Sequence, residues 1–178
     1  MTSPDFKQNY FQLFNLPRQF ALDDNMLGVR FRQLQGQLHP DRFASKSQHE
    51  QRIAVQYSAF VNQAYTTLRK PLARAFYLLE LSGMSAQQVS GEKIDGGFLI
   101  EQMELREKLE TIADLVEPET VLEHLMLEIA ADIKAHEQEF TGAFEADDLS
   151  GAASACIKMQ YLEKLQREAE QIESSLLD

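Results

Sequence analysis

Apolar residues along this chain recur at helical spacing almost everywhere, and no run of roughly four to eight residues alternates as a half-buried strand does. Leu27, Phe31, Leu34 and Leu38 fall at i, i+4, i+7 and i+11, and Ile53, Tyr57, Phe60, Ala64 and Leu68 repeat such a stripe further on. The chain is therefore expected to be all-α.

Start and stop signals divide the stripes into elements. Asp23 or Asp24 can cap the first of these two helices, and Ser47-Gln48-His49-Glu50 spells a capping box that opens the second. HPDRFASK, residues 39–46, is then the loop of an antiparallel hairpin. Gly28 and Gly36 lie inside the first helix, each costing roughly 0.5–1 kcal/mol relative to Ala, so packing against the second helix has to hold it together. A short helix is expected around Tyr10 to Phe14, before Pro17, and another from Pro71 to a stop at Gly83. Residues 84–97, MSAQQVSGEKIDGG, contain three glycines and no periodicity and read as a linker. Helical patterns over 98–116, 119–144 and 149–176 follow, joined by short turns, and predict an antiparallel three-helix bundle. The expected organisation is thus a first module at 1–83, a linker at 84–97 and a bundle at 98–178.

Charge separates the same halves. Residues 1–83 carry 10 Lys/Arg against 6 Asp/Glu, or +4, and residues 84–178 carry 7 against 22, or −15, within a total of −11. Opposite signs imply different partners. Nucleic acid suits neither half: phosphate repels the acidic one, and the basic one has no dense Lys/Arg stripe. No stretch approaches the roughly 18 apolar residues of a membrane span, and MTSPDFKQNYF lacks a basic-then-apolar leader, so a cytoplasmic protein without membrane contact is expected. Cys156 is the single cysteine, set among small residues in AASACIKM, which excludes an internal disulfide and predicts an inert buried thiol.

His39 and Asp41 are the first candidates for catalysis. Near neighbours in a loop rarely aim at one reacting atom, and neither an orienting group nor a sheltered pocket is legible. His39, His49, His124 and His136 show no i, i+4 pair or HExxH spacing, and no GxGxxG or GxxxxGKS loop occurs. No catalytic residue, metal or cofactor is therefore expected.

What remains is the arrangement: a helix carrying Arg30 and Arg32, a His-Pro-Asp loop, a long second helix, and YFQLFNLP ahead of them. It resembles the J-domain, whose HPD loop and basic second helix bind and trigger an Hsp70-type ATPase. The resemblance implies that His39, Pro40 and Asp41 form the trigger, with Arg30, Arg32 and Arg42 steering the encounter. The residues give this physical sense. Pro40 restricts its own backbone and that of His39, so little entropy remains to be lost on binding. Asp41 offers an ionised acceptor to an arginine of the partner, and a cationic helix face attracts an acidic surface.

Residues 60–83 narrow the resemblance. Their NQAYxTLxxPxxRAxYLLxLxG pattern, together with LHPDRFAS and FLIEQMELREKLE, is similar to the HscB family, the J-domain co-chaperones of iron–sulfur cluster assembly, over essentially the whole chain. The family implies that the C-terminal bundle binds the scaffold IscU and that the J-domain delivers it to the chaperone HscA. Arg42 stands where a lysine often follows HPD, and Gly36 where a basic residue would strengthen the second-helix patch. The paired-cysteine zinc extension of some eukaryotic relatives is absent, which favours a bacterial type.

The first bundle helix has its own signal. At about 100° per residue, Phe98, Leu105, Leu109, Ile112 and Val116 cluster within about 40° of their mean and form the inward stripe. Leu99, Ile100 and Met103 fall on the opposite side among Glu104, Arg106, Glu107 and Glu110, an apolar spot rimmed by charge that reads as a binding surface. The resemblance places Tyr161 on the same face and assigns that face to the scaffold. The rival readings are a helical adaptor or assembly protein in which HPD is only a loop and, more distantly, a hydrolase using His39 and Asp41.

Overall fold

The computed structural model describes residues 5–39, 42–112 and 115–177, and among them every regular element is helical. Two compact units form, Met1–Leu78 and Leu79–Asp178. The first holds α1 (Tyr10–Leu13), α2 (Asp24–Gln37), α3 (Gln48–Arg69) and most of α4 (Pro71–Leu81), which runs across the division. The second holds α5 (Ala86–Ser90), α6 (Gly96–Thr111), α7 (Pro118–Glu145) and α8 (Leu149–Leu177).

Caps in the first unit follow the sequence. Asp23, not Asp24, opens α2 by accepting from the Met26 N–H, and Ser47 and Glu50 close the capping box of α3. Phe31 stacks on Tyr65 with centroids 3.9 Å apart and planes at 7°, and Gln35 donates to Asn62 at 3.3 Å, so the glycine-bearing α2 is pinned along α3. The buried line of α3 is Ala54, Val61, Ala64 and Leu68. Tyr57 and Phe60, expected on that line, are turned to its flank, where Phe6 meets both rings at 5.5 and 5.8 Å and Tyr10 meets Phe60 at 5.7 Å.

The 62–83 signature is largely fold chemistry. Ala64, Leu68, Ala75, Leu78 and Leu79 are fully buried. Arg74, only 5% exposed, donates to the Leu68 carbonyl at 2.9 Å, lies 3.6 Å from Asp24 and covers the Phe20 ring at 5.1 Å. Tyr77 accepts from the Tyr10 N–H at 3.0 Å and stacks on the Tyr10 ring. Gly83 ends the run in the left-handed region at φ 90°, where a side chain would be strained, while the Met84 N–H returns to the Leu79 carbonyl.

In the second unit the stretch read as a linker is folded. Ser85 and Gln88 form a capping box for α5, Val89 is buried, α5 packs on α8, and the Ser150 hydroxyl donates to Glu92. A five-residue helix has room for one inward apolar residue, too few to show a period. Beyond it, Phe98, Leu105, Leu109 and Ile112 pack with Leu122, Leu125 and Ile129 of α7 and Leu162, Leu165 and Ala169 of α8. Val116 does not join them. α6 ends at Thr111 with Ile112 as its C-cap, so the wheel no longer applies, and Val116 is 92% exposed. The α7–α8 hairpin closes on small residues: Ala152, Ala153 and Cys156 are inaccessible, and burial, with Glu163 nearby, pushes the thiol up to about 12. It is therefore a neutral core group at ordinary pH.

Candidate functional site

Two separate places carry the site residues of the sequence. The first is the α2–α3 loop. Leu38 ends α2 with its N–H on the Leu34 and Gln35 carbonyls, and the Arg42 N–H donates to the His39 carbonyl at 2.9 Å. A turn follows, from the Lys46 N–H to the Phe43 carbonyl. Gln51, one turn into α3, then reaches back with its amide to the Ala44 and Lys46 carbonyls at 3.4 and 3.1 Å. Backbone hydrogen bonds and a side-chain strap restrain the described part of this loop. His39 and Arg42 are exposed; Pro40 and Asp41 lie outside the described residues.

Arg30 and Arg32 do not make one cationic face. They are two positions apart on α2, about 200° around its axis, with Arg30 half-buried and Arg32 exposed. Arg32 folds back over the preceding turn, where its Nη1 stands 3.4 Å from where a Cβ at Gly28 would lie, an ordinary van der Waals distance.

The second place is the outer side of α6. Leu99, Ile100 and Met103 are 40%, 58% and 65% exposed, whereas Phe98, Leu105 and Leu109, on the same helix, are at most 6% exposed. Glu104, Arg106 and Glu107 are exposed around the three apolar residues. Tyr161 of α8 is 45% exposed, and its ring meets the Phe98 ring edge-on at 6.3 Å, which sets it beside the first turn of α6. Arg106 is held by Glu168 of α8 at 3.3 Å.

Sequence reasoning missed the groups that fasten this first turn. Asp95 is its N-cap and accepts from the Phe98 N–H at 2.8 Å, a hydrogen bond that, with Lys158 nearby, holds its carboxyl below the usual value. Lys158 of α8 places its ammonium 3.6 Å from Asp95, 3.9 Å from Glu139 of α7 and 5.6 Å from the centre of the Phe98 ring. Glu139 also takes the Nδ1 of His136 at 2.8 Å, and the His136 ring meets Phe98 edge-on at 5.6 Å. No signal in the sequence joins these groups, since Glu139 and Asp95 lie 19 and 63 positions before Lys158.

A helical hairpin with an HPD sequence in its loop, followed by a bundle of three further long helices, defines a J-domain protein with an appended C-terminal helical unit. Residues 94–170 match the family model of the HSCB C-terminal oligomerisation domain. The chain is 42% identical over 171 residues to a co-chaperone protein HscB homolog of Shewanella loihica, covering 94% of this chain and 99% of that one. The structure of the chaperone HscB from Vibrio cholerae is similar at 39% identity and a TM-score of 0.86, with 95% of this chain and 99% of that one covered. The crystal structure of the human co-chaperone protein HscB is similar at 34% identity and a TM-score of 0.87, with 96% and 85% covered. The chain belongs to the HscB family of co-chaperones.

Proposed function

We propose that this chain binds an IscU-type iron–sulfur scaffold on the outer face of α6, delivers it to an HscA-type Hsp70 chaperone, and stimulates that chaperone's ATPase through His39, Pro40 and Asp41, in the service of iron–sulfur protein maturation in the cytoplasm. The observation that carries the scaffold half is the exposed row Leu99, Ile100 and Met103 opposite a buried stripe on one helix. Exposed apolar residues scattered singly are ordinary, but three on one face with a charged rim and an aromatic neighbour have the composition of an interface centre. Leu99, Ile100, Met103 and Tyr161 supply the apolar contact; Glu104, Arg106 and Glu107 select register and partner by charge.

The chaperone half is supported by the restrained loop of the first unit. The described part of the loop, already held by backbone hydrogen bonds and Gln51, loses little freedom on docking, so its contacts appear as affinity. Arg42, with Arg30 and Arg32 on different sides of α2, gives diffuse attraction rather than a single cationic stripe. The ATP chemistry belongs to the partner, whose conformational equilibrium the loop shifts. The module that engages it is residues 1–83, and the scaffold module is the bundle from residue 98. Carrying the two sites on one chain tethers scaffold to chaperone and raises the effective concentration of each for the other.

The test is single-turnover and steady-state ATP hydrolysis by a purified HscA-type chaperone with the scaffold and either the parent chain or His39→Gln. The expected result is loss of stimulation with unchanged helicity and an unchanged scaffold titration. Undiminished stimulation removes the loop from the mechanism.

A further inference from the structure

The docking face starts on a turn that is a poor helix by itself. Gly96 and Gly97 are the first two residues of α6, and glycine loses more backbone freedom on being ordered than any other residue. Leu99 and Ile100 follow immediately. Gly97 has a reason to be glycine: a Cβ there would stand 3.1 Å from the Asp95 oxygen that caps the helix. The turn is therefore left free to take its cap and is held by groups from elsewhere.

Lys158 is the group that joins them. Its side chain is 18% exposed, and a partly buried ammonium is costly unless opposite charge surrounds it. Asp95 from the start of α6, Glu139 from α7 and the face of Phe98 supply that surrounding from three directions. Tyr161 is three residues further along α8, on the same side, and its ring meets Phe98 as well. α8 thus grips Phe98 at two points. Because Leu99 and Ile100 follow Phe98 at about 100° per residue, fixing that ring fixes where they point.

We propose that Lys158 is a positioning residue for the docking face: it locks the cap and the rotation of the first turn of α6, so that Leu99, Ile100 and Tyr161 form one preorganised surface. This rests on the assignment of that face to the scaffold. Without the lock, binding has to order the turn and loses affinity although no contact residue has changed.

The full chain carrying Lys158→Met, Lys158→Arg, Asp95→Asn or the pair Leu99→Ala with Met103→Ala is titrated with purified metal-free IscU-type scaffold, well below the melting temperature of each variant. Amide exchange is followed at Phe98, Leu99, Tyr161, the centre of α7 and the C-terminal half of α8. Lys158→Met is expected to weaken binding about tenfold and to speed exchange at Phe98, Leu99 and Tyr161 but not across the rest of the bundle. Lys158→Arg, which keeps the charge, restores binding to within about threefold of the parent. Asp95→Asn keeps a capping oxygen but not the charge, so it weakens binding in the same direction and adds little on top of Lys158→Met. Parent-level binding by Lys158→Met, failure of arginine to rescue it, full additivity of the two changes, or faster exchange throughout the bundle each overturns the positioning role. Undisturbed binding by the Leu99/Met103 pair overturns the assignment of the face instead, and the exchange at Phe98 then decides separately whether Lys158 holds the turn.

Discussion

The loop of the first unit and the α6 face of the second are built in opposite ways. The described residues of the 39–46 loop lie between adjacent helices and are restrained by hydrogen bonds within the loop and by Gln51, a residue five positions beyond. The α6 face is assembled from afar: Phe98 stands under it, Tyr161 and Lys158 come from α8, and Glu139 comes from α7. A contiguous site fails mainly when its own residues change. An assembled site also fails when a distant support moves, and its supports are separable from its contacts.

The largest test of that separation sets the two sides of α6 against each other. Leu105→Ala with Leu109→Ala removes two side chains that are 5% and 3% exposed in the bundle core, and buried Leu→Ala changes typically cost about 2–5 kcal/mol each. That pair is expected to melt the bundle in calorimetry. Leu99→Ala with Met103→Ala truncates exposed residues, where changes usually shift stability by only about 0.5 kcal/mol, yet at an interface centre each could cost about 2 kcal/mol of binding. Scaffold titration should therefore fail in a protein whose melting temperature barely moves. If the second pair is the destabilising one, the face is structural and the comparison collapses.

Arg74→Met asks the corresponding question of the first unit. It leaves the buried Leu68 carbonyl without the guanidinium and removes the cation from Phe20, at a cost of about 3 kcal/mol. Unfolding of the first unit at lower denaturant, with scaffold affinity within twofold of the parent, is the expected outcome. A matching loss of scaffold binding would mean that the two units do not act separately.

How much of this was legible follows from how local each feature is. The capping boxes at Ser47–Glu50 and the stop at Gly83 involve neighbours in sequence, and they form as spelled. The inward stripe of α6 is correct for Phe98 through Ile112 and fails at Val116, because periodicity says which side a residue is on only while the helix lasts. The α5 capping box was spelled as plainly, Ser85 to Gln88, but one buried valine gives no stripe to attach it to. Arg30 and Arg32 look like a cationic cluster in one dimension and are divided by the 200° between them. Lys158 was not legible at all: its partners lie 19 and 63 positions away, at Glu139 and Asp95, and only packing brings them together.

Salt sharpens the comparison without any mutation. Association through residues 1–83, which carry +4, should weaken about tenfold between roughly 0.1 and 1 M salt, as the Debye length falls from about 10 to 3 Å. Scaffold binding is centred on apolar residues and should change less over the same range. Parallel titrations against chaperone and scaffold measure both slopes. Equal slopes would mean that the charged rim Glu104, Arg106 and Glu107, not the apolar row, dominates the second site.

The smallest expected effect lies at the helix starts, one in each unit. The carboxyl of Glu50 is held below its usual value first by the Ser47 hydroxyl and then by the Ser47 N–H, and that of Asp95 first by the Phe98 N–H. A lowered folded-state value means that each contributes stability above the ordinary carboxylate range and loses it as the pH falls through the lowered value. Glu50 guards the start of α3 next to the loop, so its protonation loosens a contiguous site locally. Asp95 guards the first turn of α6, so its protonation releases Lys158 as well and the loosening reaches α8. Carboxyl-carbon shifts followed by NMR should give midpoints below the usual values for both residues. Amide exchange at the acid end should then rise near residues 47–50 alone in the first unit, but at Phe98, Leu99 and Tyr161 together in the second. Exchange confined to residues 95–99 would show that α8 does not sense the cap, and the assembled face would then be no more coupled than the loop.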